Sequence, residues 1–350
     1  MRRRGTMGLL ENSALAKSIS DGSWRPNIYL TNICIAQFQR DDDFVATKLF
    51  PIVPVSLPMS KFYRFGKADL ARANMSEKPA FGSVQPAVFS QTEDSYSTRV
   101  YQALYGIDQI SSMSYGRSNA PGVSDPKVAK ARVAAEQTKL FMDLMFAEKY
   151  FRPGAWANEW TGTASSPLSS SQFYQFDNSN SDPIKLIDDL KVDLKREGRR
   201  KPNRLALGAN TYKALKNNPS VIERVKFGGS TSNPATVTTN VLAQLFEVEQ
   251  VLVMESTYNR ASYGDAADME YVCDPNGLLL CYSTDSPAID EPSAGYTFAW
   301  DMLGNGQHMA LTSFQGPLET HSEFVEALCA FDMKQVCTDL AVYLKDCVSS

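Results

Sequence analysis

The most constraining feature of this chain is a long stretch that nothing interrupts. From Lys127 to Phe151 there is neither Gly nor Pro, which is long for one helix of a globular protein. Ser124 or Asp125 offers an N-cap, and Pro126 stands at or near the first helical position, where its missing N–H costs nothing. Arg152-Pro153-Gly154 ends the run. At 1.5 Å per residue, a helix over 125–152 is a rod of roughly 40 Å. Val133, Leu140, Phe141, Leu144 and Met145 recur at helical spacing and are the expected buried stripe.

A second constraint is an excursion with little to bury. Lys61 to Phe65 and Thr92 to Leu104 alternate and read as two long strands. In the second, Tyr96, Thr98, Val100 and Gln102 share one face, with Arg99 and Tyr101 on the other. Between them, residues 66–91 hold Gly66, Pro79, Gly82 and Pro86, the cations Lys67, Arg72 and Lys78, and few bulky apolar side chains. A polar two-stranded excursion has no core of its own and is expected to lie on a neighbouring molecule. Beside the long rod, it implies a flattened, extended subunit. Residues 1–25 are polar and weakly basic, as in a flexible arm. Ile28–Cys34, Phe44–Ala46 and Leu49–Val55 follow as extended segments, and prolines 51, 54 and 58 suit an edge.

Beyond the rod, residues 155–182 are rich in Ser, Asn, Gly and Trp and read as a surface insertion. An α/β-like alternation comes next. Asp182-Pro183 opens a helix with Ile187, Leu190 and Leu194 on one face, and Arg204–Leu207 is a short buried strand. Ala209 to Lys216 is helical, and Ser220 caps a turn through Val221–Arg224. Thr238 or Thr239 opens a helix with Val241, Leu242, Leu245 and Phe246, ahead of a strand over 250–254. Strands are expected at 269–273, 277–283 and 295–300, and a hairpin within 318–348 that is ambiguous at 340–344.

Composition excludes several classes. The 350 residues, 43% of them hydrophobic, can bury a substantial core without disulfides or metal. Thirty-five Lys plus Arg against 39 Asp plus Glu give a net charge of −4, which disfavours a compact binder that wraps nucleic acid. The total hides two opposed parts. Residues 241–350 hold 17 acids and 3 bases, whereas residues 1–240 hold 32 bases and 22 acids. No apolar run approaches the ~20 residues of a membrane-spanning helix. The basic start Met1–Met7 is followed by a stretch broken by Glu11, Asn12 and Lys17 rather than by a signal-peptide core, so the chain reads as cytosolic. Six scattered cysteines (34, 273, 281, 329, 337, 347) contain no close-spaced pair and read as reduced, mostly buried thiols rather than zinc ligands.

The search for chemistry returns little. His308, in Gly304-Asn305-Gly306-Gln307-His308, reads as a turn between strands or the rim of a site with Asp301, and His321 lies in an expected strand. No nucleophile elbow, phosphate loop, zinc-protease or EF-hand spacing occurs, and Gly228-Gly229-Ser230 is too short to cradle phosphate. Asp41-Asp42-Asp43 reads as a solvated face, because adjacent side chains diverge. The basic run of Lys191, Lys195, Arg196, Arg199, Arg200, Lys201 and Arg204 is broken by Asp193 and Glu197 and reads as a solvated helix end. No catalytic, metal or cofactor residue is assigned.

The order of segments nevertheless resembles a known family. Thr31-Asn32-Ile33 precedes an extended arm, and Ala46–Val55 (ATKLFPIVPV) follows. Then come Ser181-Asp182-Pro183-Ile184, Lys201–Gly208 (KPNRLALG), Leu215–Pro219 (LKNNP) and Val251–Asn259 (VLVMESTYN). Over most of residues 24–348 the chain resembles the major capsid proteins of tailed bacteriophages, the HK97-like family. The resemblance implies an α+β fold with an N-terminal arm over 1–57, an extended E-loop over 58–106, and a peripheral P domain over 107–182. The spine helix 125–152 belongs to that P domain. An axial A domain spans 183–301, and 302–350 return to the P domain.

The function implied is a structural shell protein, not an enzyme, without cofactor or metal. Its copies form hexamers and pentamers around packaged double-stranded DNA, which is contained without sequence recognition. Expected partners are other copies, a separate scaffolding protein (the arm before Trp24 being too short to include one) and a portal, with no membrane. The expected location is the virion, after assembly in the bacterial host cytoplasm. Inter-subunit contacts are expected at Lys61, Arg64, Lys67, Arg72 and Lys78 and at Arg2, Arg3 and Arg4, with the opposed charges of the two parts drawing subunits together in a salt-sensitive way. An encapsulin-like compartment around a protein cargo is the same fold in another role. A cytosolic hydrolase using His308 and Asp301 is the remote alternative.

Overall fold

A computed structural model describes residues 44–65, 75, 77–78, 80, 82, 91–109, 126–166, 169–228, 237–262, 264–287, 291–302 and 308–349. Among the described residues, six α-helices run in chain order: α1 (Ala46–Leu49), α2 (Pro126–Tyr150), α3 (Pro183–Gly198), α4 (Ala209–Asn217), α5 (Pro219–Gly228) and α6 (Thr239–Leu245). The strands before α3 are β1 (Ile52–Val55), β2 (Met59–Phe65), β3 (Gln91–Ser97), β4 (Arg99–Asp108), β5 (Glu159–Thr163) and β6 (Gln172–Tyr174). Those after it are β7 (Arg204–Gly208), β8 (Gln250–Met254), β9 (Thr257–Asn259), β10 (Met269–Tyr271), β11 (Leu278–Cys281), β12 (Gly295–Trp300), β13 (Met309–Gln315), β14 (Ser322–Gln335) and β15 (Ala341–Lys345). The fold is α+β.

The chain divides into two compact units: 1–41, 100–139 and 302–330 in one, and 42–99, 140–301 and 331–350 in the other. In the first, β13 pairs antiparallel with β14 from Met309↔Cys329 to Gln315↔Glu323, and β4 also pairs with β14. Ala131, Ala134 and Ala135 of α2 pack on Ile107, Met309, Leu311, Val325 and Ala327. Three alanines on one helical face let backbone approach closely, so large side chains from the strands fill the gap. Glu326 is buried in this sheet, where its carboxylate accepts from Gln102 Nε2 at 2.5 Å and Thr312 Oγ1 at 2.9 Å.

The second unit is built on a six-stranded sheet in the order β6-β5-β15-β11-β7-β8. β11 runs antiparallel to both β15 and β7, while the pairs β5–β6, β15–β5 and β7–β8 are parallel. Leu205, Leu207, Leu278, Leu280, Val342 and Leu344 alternate onto one face. There they meet Ile187, Leu190 and Leu194 of α3, Leu215 of α4, Val221 of α5 and Leu242 of α6. Asp182 caps α3 by accepting from the Lys185 N–H at 3.3 Å, and Thr238 caps α6 by accepting from the Val241 N–H at 3.4 Å. Gly208 cannot be replaced freely, since a Cβ there would meet the carbonyl oxygens of Pro275 and Asp274.

A smaller sheet in the same unit pairs β1 parallel with β12, and β12 antiparallel with residues 331–335 of β14. Phe50, completely buried, fits edge-on against Phe146 at 5.0 Å and beside Tyr150 at 4.8 Å. Its ring occupies the space that a side chain on Gly295 would need. β2 and β3 form a separate antiparallel pair, from Met59↔Ser97 to Phe65↔Gln91.

Five expectations change. The buried stripe of α2 is not Val133, Leu140, Phe141, Leu144 and Met145. Val133 is exposed, the other four are half-buried, and the buried face runs through Ala131, Ala134, Ala135, Thr138, Lys139, Met142, Asp143, Phe146, Ala147 and Tyr150. Residues 155–182 are no mere insertion, because β5 and β6 extend the large sheet and Phe173 and Phe176 are buried in its core. The strand read over 92–104 breaks at Thr98, whose N–H donates to the Pro58 carbonyl, so β3 and β4 enter different sheets. Residues 318–348 form no hairpin; β14 and β15 also belong to different sheets. In addition, the turn at 221–224 is a full helix, α5, where the Asn218 side chain accepts from the Ser220 N–H at 2.9 Å.

Candidate functional site

Burial holds the thiols of Cys273, Cys281 and Cys347 and the imidazole of His308 in their neutral forms. Cys273 and Cys281 have their pKa values pushed to about 12 by burial, and Cys347 is raised well above the ordinary range for the same reason. A thiol held neutral is a poor nucleophile and a poor metal ligand. Cys329 is buried and Cys337 half-buried; Cys34 lies outside the described residues. Burial lowers His308 to about 4, and its Nε2 is shut off from solvent although part of the residue reaches the surface. Asp301 and His308 fall in different units. Among the described residues no three His, Cys, Asp or Glu side chains gather to hold a metal, and no helix is long and apolar enough to cross a membrane. Asp41–Asp43, Gly229-Ser230, Gly304–Gln307 and the N-cap Ser124 or Asp125 lie outside the described residues.

The basic run around 191–204 is largely neutralised within the chain. Lys191 is buried, donating to the Phe246 carbonyl at 2.6 Å and pairing with Asp188 at 2.7 Å. Arg196 pairs with Asp193 at 2.8 Å, Lys201 with Glu247 at 3.2 Å, and Arg200 approaches Glu291 at 3.9 Å. Arg204, also buried, bridges Asp285 and the Lys48 carbonyl. Lys191 and Arg204 thereby fasten α3 and β7 to the rest of the unit, and Arg196, Arg200 and Lys201 have acids beside them.

Among the described residues, Asp143 of α2 is a strongly perturbed carboxyl at an interior junction, which sequence reading passed over. It is 1% exposed and accepts from the Ala46 N–H at 2.8 Å, the Val45 N–H at 3.2 Å and Ser256 Oγ at 3.2 Å. The carboxyl thereby satisfies the orphan donors at the start of α1 and ties that segment to α2 and to the turn after β8. Burial raises its pKa to about 6, against the lowering effect of those hydrogen bonds and of the nearby Lys48. The available signal was its place eight residues after Ala135 and four after Lys139, on one helical face.

The expected contact residues have diverse placements. Lys61 projects from β2 and pairs across the strands with Glu93 at 2.5 Å, both side chains well exposed. Arg64 lies in β2 opposite Thr92, and Lys78 is exposed. Lys67, Arg72, Arg2, Arg3 and Arg4 lie outside the described residues. The base of the β2–β3 pair is not coreless: Phe62 and Tyr96 are buried against Phe298, with ring centroids at 5.1 and 4.6 Å. The excursion is thus anchored on its own subunit at 59–65 and 91–97, and any dependence on a neighbour concerns what extends beyond.

Comparison with known proteins gives these features a context. No family sequence profile matches the chain. The chain is 28% identical over 285 residues to the major capsid protein of Burkholderia phage BcepMu, covering 77% of this chain and 81% of that one. The crystal structure of a phage-related protein from Bordetella bronchiseptica RB50 superposes with a TM-score of 0.68 at 20% identity, covering 93% of this chain and 99% of the other. A prophage protein of Escherichia coli CFT073, described as a capsid protein, gives 0.52 at 12% identity over 91% and 96%. Taken with the long helix α2, the anchored β2–β3 pair and the six-stranded sheet, these matches identify the chain as a homologue of a phage major capsid protein with the HK97-like capsid fold.

Proposed function

We propose that the chain is the building block of an icosahedral phage shell, its copies forming hexamers and pentamers around double-stranded DNA. The observation that carries this reading is the similarity to the major capsid protein of phage BcepMu, which spans four-fifths of that protein. The role is structural and non-enzymatic, in keeping with the buried thiols of Cys273, Cys281 and Cys347. In this reading residues 1–57 are the arm, 58–106 the E-loop, 107–182 and 302–350 the P domain, and 183–301 the A domain. Lys61, Arg64, Lys67, Arg72, Lys78 and Arg2 to Arg4 supply cations at subunit contacts. A separate scaffolding protein and a portal complete the assembly in the host cytoplasm, and the shell ends in the virion.

Electron microscopy of the purified chain tests the reading directly. Closed icosahedral particles are expected, and in infected or induced cells they should hold DNA. Particles that hold a protein cargo and no DNA would make it an encapsulin-like compartment instead. A protein that remains a monomer under all assembly conditions would defeat both.

A further inference from the structure

The root of the β2–β3 ribbon is held in two different ways. Beneath it, Phe62 and Tyr96 rest on Phe298 of β12, in a small core that also takes in Val53, Val55 and Tyr296. Burial of this kind is favourable but has no direction, so rings in contact set the angle between ribbon and sheet only loosely. Hydrogen bonds do have direction. Three of them at the root bind the ribbon to the segment that leads into it. The Thr98 N–H and hydroxyl both donate to the Pro58 carbonyl at 2.8 Å, and the Tyr96 hydroxyl donates to the Leu57 carbonyl at 3.4 Å. These close the base of the ribbon on itself.

The Ser97 N–H crosses to the sheet instead, donating to Asp332 Oδ2 of β14 at 3.0 Å. Asp332 stands directly opposite Phe298 in the β12–β14 register, on the same face, so its carboxylate flanks the ring on which the ribbon sits. The side chain is only 15% exposed, and Lys334, two residues along the strand, approaches it at 3.7 Å. A carboxylate is a stronger acceptor than a backbone carbonyl.

Beyond this root the ribbon acts as a lever. Each strand has seven residues, a length of roughly 20 Å. A tilt of about 10° at the root therefore moves the far end by roughly 3–4 Å, about the rise of one strand residue.

We propose that Asp332 is the positioning residue of the β2–β3 ribbon. By accepting from the Ser97 N–H it fixes the angle at which the ribbon leaves the β1–β12–β14 sheet, and so the place where the far end meets a second copy of this chain. The contact with a second copy rests on the shell reading above; the hold on the ribbon rests on the geometry of one subunit.

Substitutions that remove or keep the acceptor test it in the full chain. In dissociated subunits, Asp332→Ala is expected to speed hydrogen exchange of the amides of 60–64 and 92–97 by about ten-fold, leaving β7 and β11 as in wild type. The yield of closed particles is expected to fall by about ten-fold as well. Asp332→Asn, whose side-chain oxygen can still accept from Ser97, is expected to restore both. Wild-type ribbon exchange or wild-type yield from Asp332→Ala would overturn the proposal. So would an Asp332→Asn variant that behaves like Asp332→Ala, since the charge beside Lys334 would then matter rather than the acceptor. Should Asp332→Ala fail to fold, as judged by circular dichroism and melting, the Ser97 amide of the wild type decides. It is expected to exchange at least about ten-fold more slowly than an unbonded amide, and the unbonded rate would overturn the proposal. Wild-type chain that forms no particles would count against the shell reading, while the exchange measurements still judge the hold of Asp332 on the ribbon.

Discussion

Strands β10 and β11 are near neighbours in sequence and opposites in environment. Met269, Glu270 and Tyr271 are all exposed, whereas Leu278, Leu279, Leu280 and Cys281 are all buried, none above 0% exposure. β11 has strands on both sides and helices over one face. Among the described residues β10 has one partner strand, β9, and its Met269 and Tyr271 stay exposed. The contrast separates residues whose apolar surface is satisfied inside the sheet from residues whose apolar surface is not. Folding stability should reside in the former.

Substitutions can break or sharpen that division. Leu280→Ala removes a fully buried side chain from the middle of the sheet and should cost about 2–5 kcal/mol in urea unfolding of the subunit. A loss below about 1 kcal/mol would mean that the sheet is not the seat of stability. Asp143 comes next. Its carboxyl is raised from 3.8 to about 6, so folding favours the protonated form. The stabilisation is complete below 3.8 and fades as pH rises through about 6. Wild type measured against Asp143→Asn should therefore gain about 2–3 kcal/mol between pH 7 and pH 4. A difference that stays flat across that window would show the carboxyl to be unperturbed.

Smaller effects probe the exposed side of the comparison. Lys61→Ala removes an ion pair with Glu93 that water surrounds, and should change subunit stability by no more than about 1 kcal/mol. Met269→Ala should change it by less than about 0.5 kcal/mol, because the side chain touches so little of its own subunit. A cost from Met269→Ala approaching that of Leu280→Ala would place the ribbon in the core and erase the distinction between β10 and β11.

What the sequence revealed follows the same line. Elements fixed by local chemistry were legible: the proline-led and proline-stopped α2, the Asp182-Pro183 start of α3, the buried run of β7, and the Thr238 cap of α6. The buried face of α2 was not. It contains Thr138, Lys139 and Asp143, whose burial depends on partners far away in sequence, while bulkier Leu140, Phe141, Leu144 and Met145 are only half-buried. Hydrophobic periodicity cannot see a carboxylate that is buried because it caps α1. The break at Thr98 was hidden for a related reason, since β3 and β4 alternate in one continuous pattern and only the Pro58 carbonyl marks where they part. As for the site, Lys61 was located correctly on a strand, but its cross-strand partner and the burial of Phe62 and Tyr96 beneath the excursion needed coordinates.

The place of β15 bears on the order in which the subunit can be made. It is an interior strand, with β5 on one side and β11 on the other. Until residues 341–345 have been synthesised, the sheet exists as two fragments, β6–β5 and β11–β7–β8, with nothing to join them. At about 5–20 residues per second, roughly 3–12 s pass between the completion of β11 and that of β15. A nascent subunit therefore cannot finish its largest core early. The surfaces that this core supports take shape only once residues 341–345 have joined the two fragments.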